Sequence, residues 1–168
     1  MHDSLLYFAY GSNMLTRRLR ARTPSARAVG TATLSGFEMC WHMLSTDGSA
    51  KCDIVQAAAP DTGVHGVVFE IHLSERPALD LAESVGVGYR VQQVTVETAR
   101  GAVAAWTYRA LRIDRGALPY TWYKALVVAG AREHGLPPGY VDALEAVAAR
   151  DDPRPERTAR NLLIVRGE

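Results

Sequence analysis

Leu5-Leu6-Tyr7-Phe8-Ala9-Tyr10 is an unbroken apolar and aromatic run that stops abruptly at Gly11-Ser12-Asn13. A short continuous apolar run bounded by turn residues is the pattern of a buried strand. Asn13 then suits the cap of a helix over residues 14–22, which Pro24 follows. Four β-rich runs come next, at residues 26–34, 36–44, 53–59 and 64–73, divided by Gly, Asp, Ser and Pro. In the last of them Val67, Phe69 and Ile71 share one face, the period-2 signature of a half-buried strand. Ser74 opens a helix that tolerates Pro77 in its first turn and must finish near the glycines of Glu83-Ser-Val-Gly-Val-Gly-Tyr89. Two further strands are predicted at 89–97 and 102–111, then a helix from 119 that stops at Gly135 and another over 138–150. Mostly antiparallel strands interrupted by helices give an α+β class: a sheet or barrel with several helices around it.

The chain's 168 residues, 48% of them hydrophobic, suit one globular domain over residues 1–150. Residues 151–168 form a charged tail; 151–160, with two prolines, is expected to be loosely ordered, while Asn161-Leu-Leu-Ile-Val165 has the composition to dock as a final strand. No apolar run of membrane-spanning length and no apolar leader is visible, so the reading is cytoplasmic and without a membrane partner. Cys40 and Cys52 lack any CxxC spacing and read as ordinary thiols. His42, His65, His72 and His134 show no metal-ligand spacing. Of the 19 basic residues 17 are Arg, five of them between Arg17 and Arg27, yet the net charge of +1 lacks the excess of a nucleic-acid binder. The cluster reads better as a solvated helix face.

Two places carry candidate chemistry. Gly11 permits unusual backbone torsions, and Ser12 and Asn13 add side-chain donors beside the exposed amides of a helix start; such a nest suits a carboxylate or an oxyanion. Glu83, at a helix C-terminus, faces the negative end of the helix dipole. Leu79, Leu81, Val85 and Val87 are placed to desolvate it, and Asp80 lies one turn away, so three effects would push its carboxyl towards neutrality. A carboxyl tuned in that way is a better general acid and base. One helical turn between Asp80 and Glu83 argues against a pair flanking a glycosidic bond. Ser12 has no evident His partner for a serine hydrolase.

Tyr7-Phe-Ala-Tyr-Gly-Ser-Asn-Met14, the segments 47–56 and 64–71, Leu79-Asp-Leu-Ala-Glu-Ser-Val-Gly-Val-Gly-Tyr89 and residues 119–140, in that order, resemble the γ-glutamylcyclotransferase family over roughly residues 5–147. The resemblance implies a compact mixed β-barrel with surrounding helices. It further implies an enzyme that cyclises the γ-glutamyl group of a γ-glutamyl amine or amino acid to 5-oxoproline and releases the amine, with no metal or organic cofactor. By position, Tyr7, Tyr10, Gly11, Ser12 and Asn13 would line the pocket and hold the γ-glutamyl group. Glu83 would be the acid/base residue, and Tyr123 an aromatic contact at the start of its helix. Relatives commonly carry Gly after the acidic residue where this chain has Ser84, and the segment to Tyr89 is one residue shorter than in some of them. The alternative is a non-catalytic small-molecule binding domain of the same fold. The leaving group and the oligomeric state stay open.

Overall fold

The computed structural model describes residues 3–168. The first apolar run forms β1 (Ser4–Ala9), followed by a 3-10 turn at Ser12–Met14 and the short helix α1 (Thr16–Arg20). Then come β2 (Arg27–Ser35), β3 (Phe37–Leu44), β4 (Ala50–Gln56) and β5 (Gly63–His72). Helix α2 (Arg76–Ala82) leads to β6 (Tyr89–Thr98) and β7 (Gly101–Ala110); α3 (Thr121–Glu133), α4 (Pro138–Ala146) and α5 (Pro155–Arg166) complete the chain.

Five strands close into a barrel in the order β1-β5-β2-β6-β7. The pairs are antiparallel except for the closing pair, where β1 meets β7 in parallel at Tyr7 and Trp106. Closure leaves none of these five strands as an edge strand. β3 and β4 form a separate two-stranded ribbon. The mixed α+β barrel expected from the sequence is therefore present. Val67, Phe69 and Ile71 are fully buried as the alternation predicts, but so is Val68. β5 is thus covered on both faces rather than half-buried; His134 at the end of α3 stands edge-on to Phe69, and Tyr140 of α4 to His65.

Two local expectations fail. Asn13 caps no helix: α1 starts at Thr16 without a side-chain cap, and the Asn13 amide is turned towards other partners. The tail carries no strand at 161–165; α5 runs through those residues and packs against α3. Pro155 starts α5 and Gly167, at φ +80°, ends it, the usual asymmetry of helix ends. Asp152 ties the tail down, because its fully covered carboxylate accepts from Trp122 Nε1 (2.8 Å) and from Arg157 Nε (2.5 Å) and Nη2 (2.7 Å).

Hydrogen bonds from Arg157, then those from the Arg154 amide and Trp122, hold the Asp152 carboxyl well below the usual carboxylate range against the opposing effect of burial. A depressed carboxyl contributes stability above its unfolded value near 3.9 and loses that contribution as pH falls through the folded value. Asp152→Asn is expected to lower Tm by roughly 5–10 °C at pH 7. In melting curves of both proteins from pH 7 to pH 3, the gap should narrow below about pH 4; a gap independent of pH would contradict this role.

Candidate active site

The end of β1 and the following turn bring Tyr7, Tyr10, Gly11, Ser12 and Asn13 to one pocket, together with Glu83 from the end of α2 and Tyr123 from the first turn of α3. The same pocket is lined by Cys52 from β4, Tyr89 from β6 and Tyr108 from β7. Gly11 has a φ of −109°, outside the left-handed region. A Cβ at that position would stand 3.2 Å from both Cys52 Cβ and the Tyr123 hydroxyl. The turn can lie against the β3–β4 ribbon and α3 because that Cβ is missing.

Glu83 terminates α2 as its C-cap. Its Oε1 accepts from Arg22 Nη1 at 2.6 Å and from Asn13 Nδ2 at 2.9 Å. Arg22 Nη1 also donates to Asn13 Oδ1 at 3.0 Å, so the three side chains form a closed triangle. Both donors use Oε1, whereas Oε2 accepts no hydrogen bond from a described residue. The carboxylate is thereby oriented by one oxygen and left open at the other.

This environment differs from the one expected from the sequence. Leu79 is buried, but Leu81 (81% exposed), Val85 and Val87 project to solvent and cannot desolvate Glu83. Asp80 accepts from the Tyr108 hydroxyl at 2.6 Å and faces Arg76 Nε at 3.5 Å, so its charge is engaged away from Glu83. The chain turns sharply after α2, and the apolar residues past the helix end leave the face they would share on a continued helix. Arg22 comes from the basic cluster read as a solvated face. Arg17, Arg20 and Arg27 are exposed and bond to Val165 O, Ala26 O and Glu70 respectively, whereas Arg18 and Arg22 turn inward to the site.

Five tyrosines surround the pocket, and all are raised above the ordinary phenol value by burial first. At neutral pH they are donors. Tyr10 donates to Tyr108 O (2.5 Å), Tyr89 to Cys52 O (2.7 Å) and Tyr108 to Asp80. The Tyr123 hydroxyl accepts the Cys52 amide at 3.0 Å. The Tyr7 hydroxyl accepts from Asn13 Nδ2 at 3.0 Å, which keeps its own O–H available to a ligand. Burial pushes the Cys52 thiol up to about 12, only partly opposed by Tyr123 and Lys51. It is therefore a protonated, poorly nucleophilic thiol. Ser12 Oγ accepts from Arg18 Nε at 3.0 Å rather than meeting a histidine. Among the described residues no group of three or more His, Cys, Asp or Glu side chains is placed to hold a metal ion.

Tyr108, Cys52 and Arg22 were not singled out in the sequence; the one available signal was the Arg cluster directly after the turn. Ser84, the residue after Glu83, has φ +52°. That is the left-handed region, where an L side chain costs about 1 kcal/mol and Gly does not. Ser84→Gly is expected to raise Tm by about 2–4 °C, whereas Ser84→Val should lower it; equal Tm for both would contradict this geometry.

The sequence and the fold are both similar to known proteins. Residues 63–144 match the AIG2-like family. Human gamma-glutamylcyclotransferase is 34% identical over 161 residues, covering 89% of this chain and 81% of the relative. The bovine gamma-glutamylcyclotransferase is 33% identical over 162 residues, with 89% and 81% coverage. A solved gamma-glutamyl cyclotransferase superimposes with a TM-score of 0.85 at 31% identity, over 98% of this chain and 99% of that one. The chain belongs to the γ-glutamylcyclotransferase family and is an enzyme of that type. Among the described residues no helix is long and apolar enough to cross a membrane.

Proposed function

We propose that the protein cyclises the γ-glutamyl group of a small γ-glutamyl amine or amino acid to 5-oxoproline and releases the free amine, with Glu83 as the proton carrier. The observation that carries this reading is the Glu83 carboxylate, held at Oε1 by Arg22 and Asn13 and open at Oε2, in a pocket with no activated side-chain nucleophile. The substrate brings its own nucleophile. Its α-amine nitrogen forms a bond to the γ-carbonyl carbon, the carbonyl oxygen takes up negative charge, and the carbon–nitrogen bond to the leaving amine then breaks.

Two proton movements complete the balance. Glu83 Oε2 removes a proton from the attacking nitrogen and delivers one to the leaving nitrogen, general acid/base work worth about 10²–10⁴-fold. The Ser12–Asn13 turn and the Tyr7 hydroxyl are donors for the α-carboxylate or the developing oxyanion, the latter worth about 3–4 kcal/mol per donor. The tyrosine walls hold the flexible glutamyl chain folded so that amine meets carbonyl. Incubation with γ-glutamyl dipeptides and γ-glutamylamines, read by mass spectrometry, should yield 5-oxoproline. The same substrates acetylated on the α-amine should give none. A folded protein that binds these compounds and releases no 5-oxoproline would instead support a non-catalytic binding domain.

A further inference from the structure

A second chamber adjoins this inner pocket, sharing Ser12, Glu83, Tyr89 and Tyr123 with it and adding Arg18, Arg22 and Lys51. With the glutamyl half in the inner pocket and its scissile bond at Glu83, the leaving half occupies this cationic chamber. The three cations are not equivalent. Arg22 is matched by Glu83, and Lys51 Nζ by Asp47 Oδ2 at 2.8 Å and Ser49 Oγ at 2.6 Å.

Arg18 has no carboxylate partner among the described residues. Its Nε donates to Ser12 Oγ and its Nη1 to Asn161 Oδ1 of α5 at 3.4 Å, both neutral acceptors. Three cations against the carboxylates of Glu83 and Asp47 leave one unmatched positive charge on the chamber wall. Burial, and then the nearby Arg22, pull the Arg18 pKa down to about 10, so it remains a cation at neutral pH. A largely covered guanidinium whose bonds go only to neutral groups gains more from an incoming anion than a solvated one does. Asn161 is itself buried and is fixed by donating to Arg157 O at 2.8 Å, so the point at which α5 touches Arg18 is rigid.

We propose that Arg18 is the specificity-determining residue of this site: it binds an anionic group on the leaving half of the substrate, and Asn161 of the C-terminal helix is the positioning residue that holds its guanidinium against the chamber wall. This rests on the cyclisation reading above for which half of the substrate lies in this chamber. Arg18 also fixes the Ser12 hydroxyl as a donor, because an oxygen that accepts from Nε directs its own proton elsewhere.

γ-Glutamyl-alanine and γ-glutamyl-alaninamide differ in one charge and test the idea. The wild type should show kcat/KM about 10- to 100-fold higher for the carboxylate than for the carboxamide. Arg18→Gln should bring that ratio close to one, and Arg18→Lys should restore part of it. Asn161→Ala should raise KM for the carboxylate several-fold while kcat falls less. A wild-type ratio near one, or a ratio that survives Arg18→Gln, would overturn the assignment. Calorimetric binding of the same two compounds separates this from the cyclisation reading. A carboxylate preference in Kd that is lost in Arg18→Gln, without turnover, would uphold Arg18 and remove the cyclase. Turnover of both compounds at equal kcat/KM would do the reverse.

Discussion

Glu83→Gln is expected to lower kcat by about 10²–10⁴-fold while the fold and KM change little. The amide oxygen of Gln can still accept from Arg22 and Asn13 in the place of Oε1, so the triangle that orients the side chain survives. The open position becomes an NH2 group, which cannot take a proton from the attacking amine or return one to the leaving nitrogen. Arg22 loses its ionic partner but is partly solvated, which limits the cost in stability. Steady-state kinetics beside a melting curve measure both effects. A kcat within about threefold of the wild type, at unchanged Tm, would show that proton transfer does not pass through Glu83.

Gly130→Ala should reverse the usual effect of such a change in a helix, where Ala is favoured over Gly by about 1 kcal/mol. Gly130 lies in α3 where that helix presses on the turn after β1; a Cβ there would be 2.5 Å from Leu15 N and 2.7 Å from Met14 C. These are backbone atoms, and no side-chain rotation relieves the clash. Overpacking of this kind costs about 1–3 kcal/mol or more, enough to outweigh the helix preference. A fall in Tm of roughly 5–10 °C is expected. Displacement of Met14 and Leu15 also shifts Ser12 and Asn13, so kcat/KM should drop at temperatures where the variant is still folded. A Tm at or above that of the wild type would mean that α3 does not brace the turn.

Much of the inner pocket was legible because its parts are local. A continuous apolar run that breaks at Gly-Ser-Asn marks the end of a buried strand, and Pro77 with the later glycines brackets a helix ending beside Glu83. What could not be read depends on contacts between elements distant in the chain. Tyr108 reaches the pocket from β7 and Cys52 from β4, and no spacing in the chain announces either. Arg22 and Glu83 are 61 residues apart. Leu81, Val85 and Val87, expected to desolvate Glu83, are exposed; the helix ends at Ala82 and Ser84 turns left-handed, which carries Val85 and Val87 off the helix. The charged, proline-containing composition of residues 151–160 hid α5, which docks through Asp152, Arg157 and Asn161 together with Leu162, Ile164 and Val165, packed against the core.

The central claim is that the substrate's own α-amine, and not water or a protein side chain, attacks the γ-carbonyl. Turnover of a γ-glutamyl dipeptide in ¹⁸O-enriched water, with both products identified by mass spectrometry, tests it most directly. Intramolecular attack predicts 5-oxoproline without ¹⁸O, in equal amount to the released amino acid. Glutamate carrying ¹⁸O at its γ-carboxyl would mean hydrolysis and would contradict the account.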